Sequence, residues 1–529
     1  MVRRDARAAV SALALAAGLT GCTMGPDFSI PDSWSPTAWF DHAAQPEAPA
    51  PVDASRPIAE PLNVAWWDSF GDTELSALEQ RVAASNLDVK AATARLEQSR
   101  SARRVIGSKE LPSIDGNASY RRELASANGI TSLLGAGGDP ADAAGVANGA
   151  GPGAGGLPGA NSGAAKKIPS KQFDMWQFGF DASWEVDLWG HVAREVESAD
   201  ASVGASAEER RDVLLTVLAE VARDYVHLRG VQANLAIARS NLDTARQARE
   251  LTERRAASGA AGQLDVANAT AEEQAISAEI PALANDETVD VNRLSFLVGA
   301  EPGALRQELA TTAPIPPVPA RVPLGFPSEL VRRRPDIREA EARLHAATAD
   351  IGVAIADFYP RLTLSGSAGL DALSFKNLGS WGSQQFAVGP SLSVPIFEGG
   401  RLQGTLDLRK AEQQEAAIVY QKTVLQAWHD VDNAIAAYEA EQARRARLVG
   451  VVAQDQRALD LARQNYVQGA ADFLRVLDAQ RGLLAAQEQL TTSTTSVSTD
   501  LVALYKSLGG GWEETFPSGQ GPEVASRPD

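Results

Sequence analysis

Cysteine is all but absent. Cys22 stands alone among 529 residues, which excludes an intramolecular disulfide framework and leaves a chemical use for the one thiol. Histidine is scarce: His42, His191, His227, His345 and His429 are scattered, and none stands in a His-Glu-x-x-His or other zinc spacing. No stretch reaches the ~18 apolar residues that a membrane helix needs. Positive charge is in deficit, with a formal net charge of −18, which argues against nucleic acid as a partner. Nucleophile elbows and P-loops are missing. Gly151-Pro-Gly153-Ala-Gly155-Gly156 matches Gly-x-Gly-x-x-Gly by letter, but it lies in a Gly/Ala-rich stretch with no strand before it and no helix after it. The expectation is a protein that is not an enzyme and binds no metal or dissociable cofactor.

What is present begins with a membrane address. Arg3, Arg4 and Arg7 precede the apolar run Ala8 to Leu19, too short to span a bilayer and of the pattern of a secretory signal peptide. It ends in Leu19-Thr20-Gly21-Cys22, which resembles a bacterial lipobox. Diacylglyceryl and N-acyl groups on Cys22 are therefore expected after removal of residues 1–21. Losing three Arg and one Asp with that segment takes the net charge from −18 to −20. Thr23, rather than Asp, after the cysteine favours the cell outer membrane. A protein bound there without membrane helices must span as a barrel or only sit on the surface.

The chain is also written twice. Asp88-Val-Lys-Ala-Ala-Thr-Ala-Arg-Leu96 reads against Asp336-Ile-Arg-Glu-Ala-Glu-Ala-Arg-Leu344, 248 residues later. Gly190 matches Gly400, Gly259 matches Gly469, Leu264 matches Leu474, Asp290 matches Asp500 and Gly299 matches Gly509, each 210 residues apart. The first copy therefore carries 38 extra residues, between Tyr120 and Phe173. Such self-similarity constrains architecture before any local reading does. It divides the chain into a Pro-rich N-terminal segment 22–72, repeat 1 over 73–300, a Pro-rich linker 301–327, repeat 2 over 328–510, and a polar tail 511–529 expected to be loose.

Each repeat mixes strand and helix patterns. From Trp176 to Leu188 the even positions are Trp, Phe, Phe, Ala, Trp, Val and Leu, while the odd ones are polar or Gly. Strict period two means one oily face and one polar face. Strands are expected at about 113–123, 174–188, 361–371 and 385–396. Both repeat offsets are even, so matched strands keep the same face outward. A soluble sandwich alternates too, but the aromatic load (Trp176, Trp184, Trp189, Phe358, Tyr359, Phe397) and the membrane address favour a transmembrane barrel. Four strands cannot close one; two chains would supply eight strands and three would supply twelve, and periodicity does not choose. Helices are expected at about 73–110, 191–257, 263–298, 328–357, 400–467 and 472–507, with Gly259 and Gly469 turning two long hairpins.

Several strings then resemble one family. They are Cys22-Thr-Met-Gly-Pro-Asp-Phe28, Leu330-Val-Arg-Arg-Arg-Pro-Asp-Ile337, Ile351-Gly-Val-Ala-Ile-Ala-Asp-Phe-Tyr-Pro-Arg-Leu362, Pro395-Ile-Phe-Glu-Gly-Gly-Arg-Leu402, Tyr466-Val-Gln-Gly469, Phe473-Leu-Arg-Val-Leu-Asp478 and Leu508-Gly-Gly-Gly-Trp512. Over essentially the whole mature chain it resembles the outer membrane factors of the TolC/OprM type, in their acylated branch. The resemblance implies a homotrimer with a twelve-stranded β-barrel and a long periplasmic α-barrel. It implies an exit duct for drugs or other small molecules, with a periplasmic adaptor and an inner-membrane RND transporter as partners. A type I protein-secretion duct and a non-transporting structural envelope lipoprotein are the alternatives. It also implies a periplasmic gate made of an apolar ring at Leu474 and an acidic ring at Asp478, with Arg481 one turn on. Tyr466 and Asp265 match positions that tie neighbouring helices in some relatives. A second acid found in some relatives is here Arg475, so an Arg475–Asp478 or Asp478–Arg481 pair at helical spacing is expected.

Overall fold

The structure, a computed structural model, describes residues 23–32, 35–36, 39, 55–124 and 172–517. Cys22, the Gly/Ala-rich insertion at 125–171 and residues 518–529 lie outside the described residues. In chain order the elements are β1 (Arg56–Ile58), α1 (Thr73–Ser85), α2 (Leu87–Gly107), β2 (Ser113–Leu124), β3 (Gln172–Val186), α3 (His191–Ala257) and α4 (Gln263–Leu297). The second half has β4 (Arg321–Pro323), α5 (Pro327–Arg333), α6 (Pro335–Ala356), β5 (Arg361–Ala372), β6 (Gln384–Ser393), α7 (Arg401–Val467) and α8 (Phe473–Leu508). Short 3-10 turns punctuate them.

Two compact units share these elements. The first comprises Met1–Gly25, Arg104–Val196 and Gly352–Leu406, and its described part holds an antiparallel sheet in the order β2-β3-β5-β6. Its register sorts side chains by parity. One face carries the rows Gly116–Phe180–Ala368–Phe386, Trp184–Leu364–Pro390 and Val186–Leu362–Leu392. The other carries Asp115–Asp181–Ser367–Ala387 and Asn117–Gly179–Gly369–Gln385, and Asn117 donates a hydrogen bond to the Asp181 carboxylate. Successive residues of a strand point to opposite faces, so the sequence alternation becomes an apolar and a polar surface. The apolar surface is bare within one chain: Phe386 is 85% and Val388 75% exposed.

The second unit comprises Pro26–Arg103, Glu197–Ile351 and Asp407–Asp529. Its core gathers Trp66, Phe70, Leu75, Leu78, Tyr225, Leu294, Leu344, Tyr438, Leu501, Tyr505 and Trp512. Trp66 stacks on Tyr505 with ring centroids 5.4 Å apart. The N-terminal segment and the linker meet here as the parallel pair β1–β4.

Three sequence expectations change. Residues 73–110 do not form one helix: Asn86 leaves helical geometry (ψ 136°) and caps α2 by accepting from Asp88 N at 2.8 Å and Val89 N at 3.1 Å. Residues 328–357 break at the equivalent place, 248 residues on. Arg334 is extended (ψ 122°), because Pro335 disfavours helical geometry in the residue before it. The tail is not loose where it starts. Trp512 is buried and its indole N–H donates to Gly509 O at 2.9 Å. The Arg210 guanidinium lies 3.8 Å from the Phe516 ring, and Arg211 lies 4.7 Å from the Trp512 ring. Two arginines on α3 thus give the aromatics of 511–517 cation–π partners.

Candidate functional site at the hairpin tips

The two hairpins turn the same way. Gly259 (φ 77°) and Gly469 (φ 75°) take the left-handed conformation that ends a helix at low cost in a residue without Cβ. Their hydrogen bonds repeat across the duplication: Gly259 N to Ala256 O at 3.0 Å and Ala260 N to Arg255 O at 2.8 Å, then Gly469 N to Tyr466 O at 3.0 Å and Ala470 N to Asn465 O at 2.8 Å. The return helices start on side-chain caps. Asp472 accepts from Arg475 N at 3.2 Å, and Asp265 accepts from Gly262 N at 3.1 Å.

Leu474 and Asp478 stand one turn apart on α8 and both are exposed. A helix repeats every 3.6 residues, so residues four apart share a face. Among the described residues the Asp478 carboxylate has no hydrogen bond or ion pair. The expected Asp478–Arg481 and Arg475–Asp478 pairs are not formed. Arg481 instead crosses to α4, with Nε 2.8 Å and Nη2 2.6 Å from Glu272 Oε2. Glu272 is 5% exposed, and a buried carboxylate needs a cation more than an exposed one does. This hydrogen bond holds the Arg481 guanidinium above its ordinary pKa.

Tyr466 is buried, with its ring 5.4 Å from Phe473 and the Arg255 guanidinium 4.5 Å from its centroid. Arg255 Nη1 also donates to Tyr466 O at 2.8 Å. Two bridges therefore join the hairpins of one chain near their tips: Arg255 to Tyr466, and Arg481 to Glu272. Asp265, matched in sequence to a helix-tying position, caps its own helix within the chain instead. Its carboxylate oxygen accepts from the N–H of the N-cap residue Gly262, as the N3 acid of a capping box does. Beside these bridges Arg249 Nε lies 2.5 Å from Glu273 Oε2, and Arg249 Nη1 lies 2.6 Å from Glu253 Oε1.

Sequence reading missed Arg255 and Glu272. Glu272 had a signal: it sits in the buried stripe Ala269, Glu272, Ile276 at helical spacing, where a charge demands a partner. Arg255 had none, since its partner lies 211 residues away. Among the described residues no three His, Cys, Asp or Glu side chains are placed to hold a metal ion. No described helix is long and apolar enough to cross a membrane.

Known proteins resemble this chain over most of its length. The family model described as outer membrane efflux protein matches residues 78–300 and 326–510, one stretch for each repeat. The pyoverdine export outer membrane protein OpmQ of Pseudomonas putida is 32% identical over 456 residues, covering 86% of this chain and 89% of that protein. Outer membrane protein OprJ of Pseudomonas aeruginosa is 29% identical over 516 residues, 96% of each. A solved structure of the outer-membrane channel OprN superposes with a TM-score of 0.79 at 31% identity, over 93% of this chain and all of that one.

Proposed function

The chain belongs to the outer membrane efflux protein family, and from that membership we propose that three copies form the exit duct of a tripartite RND-type efflux pump. The duct sits in the outer membrane with a large helical part in the periplasm. It carries small molecules outward passively and does no covalent chemistry. A periplasmic adaptor engages the hairpin tips, and an inner-membrane RND transporter drives the solute. Cys22, acylated, adds a lipid anchor to the barrel.

One observation carries this reading: the sheet is incomplete in a single chain. β2 and β6 are its edges, 12 and 10 residues long, and unpaired edges of that length invite pairing. Pairing β6 of one chain with β2 of the next closes a ring without edges. With the family's three-fold arrangement, the ring has twelve strands. The bare apolar face then meets lipid. Trp176 and Trp184, eight residues apart on that face, are separated by about 27 Å along a strand, close to the apolar band of outer-membrane barrels. The polar face lines the bore, where Gly179, Gly369, Ser365 and Ser367 leave it open and Asp115, Asp181 and Asp371 make it acidic. Leu474 and Asp478, one of each per chain, close the periplasmic end.

Planar-bilayer recording of the purified chain, paired with mass measurement in detergent, tests the proposal. Discrete cation-preferring steps and a mass of three chains are expected. A monomer, or a bilayer without steps, overturns it.

A further inference from the structure

The apolar face of the sheet ends in a cationic patch at the end opposite the one where α2 leads into β2 and β3 leads into α3. On β2 the face runs Ile114, Gly116, Ala118, Tyr120, Arg122 toward the end of the sheet where the residues 373–383 join β5 to β6. There Tyr120 packs on Trp176 (centroids 4.4 Å apart), and Trp176 packs on Phe375 (5.0 Å). Aromatic rings in such a cluster mark the boundary between hydrocarbon and headgroups. Arg122 is the next residue outward on the same face. Its side chain is 64% exposed and loosely held, with Nη2 3.4 Å from Gln172 Oε1 and Nε 3.8 Å from Asp174 Oδ1. Asp174 is itself engaged by the Tyr120 hydroxyl at 2.9 Å, so it orients the guanidinium without saturating it. Lys376 directly follows Phe375, is exposed, and has no ionic or hydrogen-bonded partner among the described residues.

In a chain of net charge −18, two exposed cations stand just beyond an aromatic boundary, Arg122 held only by long contacts and Lys376 by none among the described residues, and both are placed to take an anion. A guanidinium offers a planar fork to phosphate oxygens, and an ammonium adds a point charge. Resting on the duct reading, in which this end of the sheet reaches the outer leaflet, we infer that Arg122 and Lys376 bind the phosphate groups of the outer leaflet's phosphorylated glycolipid, lipopolysaccharide. The aromatic cluster takes up the adjoining acyl chains. Each protomer carries one such site on the outside of the barrel, and it fixes the depth at which the barrel sits.

The test compares lipopolysaccharide with the same lipid after phosphatase treatment, binding each to the purified full-length chain in detergent by native mass spectrometry. The phosphorylated form is expected to bind about tenfold more tightly, a preference that weakens as salt is raised. Arg122→Gln together with Lys376→Gln should abolish that preference, and Lys376→Gln alone should reduce it. Arg121→Gln, one residue away but on the polar face of the sheet, should leave it intact. Equal binding of the two lipids, or an equal loss on changing Arg121, overturns the inference. Bilayer conductance separates the layers of the argument. Channels that conduct normally but ignore the phosphate sink this inference alone, whereas absent conductance sinks the duct reading beneath it.

Discussion

A single buried carboxyl shows how residue chemistry constrains this protein. Glu79 lies on the core-facing stripe of α1 with Leu75, Leu78 and Val82; it is 1% exposed, and neither oxygen has a hydrogen-bond partner. Burial pushes its pKa well above the ordinary carboxylate value. The sign of the linkage follows. Below the unfolded value both states hold the proton and there is no penalty. As pH rises past it the unfolded chain ionises first, so stability falls and the deficit persists at neutral pH. Glu79→Gln should therefore raise the apparent melting temperature at pH 7 by about 2 °C or more, a gain of roughly 1 kcal/mol. Near pH 4 the variant and the parent should melt together; a Gln variant that melts lower at pH 7 would show that the carboxyl serves the fold in its charged form. Arg481 poses the converse case. Its side chain is 61% exposed while that of Glu272 is 6% exposed, so solvent screens the pair. Arg481→Ala should cost about 1 kcal/mol by leaving Glu272 unpaired. Arg481→Lys should recover part of it. Thermal unfolding of the three proteins in one buffer checks both statements.

Among the elements, the last described segment matters more than its composition suggests. Residues 509–517 follow α8 and bring Trp512 against Arg211 of α3 and Arg338 of α6, the latter 5.6 Å from its ring. Arg211 Nε and Nη2 donate to Phe516 O and Pro517 O, each at 3.2 Å. The segment thereby joins a helix of the first repeat to one of the second. Trp512→Ala removes a side chain that is 2% exposed and should cost about 3–5 kcal/mol, visible as a lower temperature at which the oligomer dissociates on gels. An unchanged dissociation temperature would mean that the segment rides on the fold without supporting it. The strand connections make an opposite prediction. The second repeat joins β5 to β6 through residues 373–383 alone, while the first uses 125–171. Surface connections tolerate changes of length. Deleting 136–164 should leave oligomer yield and heat resistance unchanged; a loss of oligomer would show that the insertion supports assembly.

At the scale of the whole molecule, the proposed trimeric duct makes closure and opening properties of an assembly. One chain presents one Leu474 and one Asp478 on a shared exposed face of α8. Gathered around an axis, the carboxylates attract cations and repel one another. On that proposal a closed state leans on contacts away from the axis, among them the Arg481–Glu272 and Arg255–Tyr466 bridges between the hairpins of each chain. Leu474→Gly with Asp478→Ser should raise single-channel conductance several-fold, and Asp478→Ser alone should mainly lower cation preference, both read in planar bilayers. Wild-type conductance and selectivity in the double variant would place the constriction elsewhere. Arg481→Ala should raise the fraction of time spent open, because it releases α8 from α4 without touching the exposed face.

Much of this was legible in one dimension. The duplication, the faces of the strands, the glycine turns at 259 and 469 and the family all follow from local pattern, because periodicity, turn geometry and repeated strings are properties of neighbouring residues. The break at Asn86 and Arg334 was half legible: Pro335 announces one, and the repeat offset carries it to the other. Partner choice was not. Arg481 pairs with Glu272, 209 residues away, rather than with Asp478 three residues away. Asp265 caps its own helix, and Trp512 finds arginines on two distant helices. Helical spacing says which side chains share a face, but only the packing of α3, α4, α6 and α8 decides which buried charges and rings come within reach, and a buried charge settles on the partner that best offsets its lost hydration.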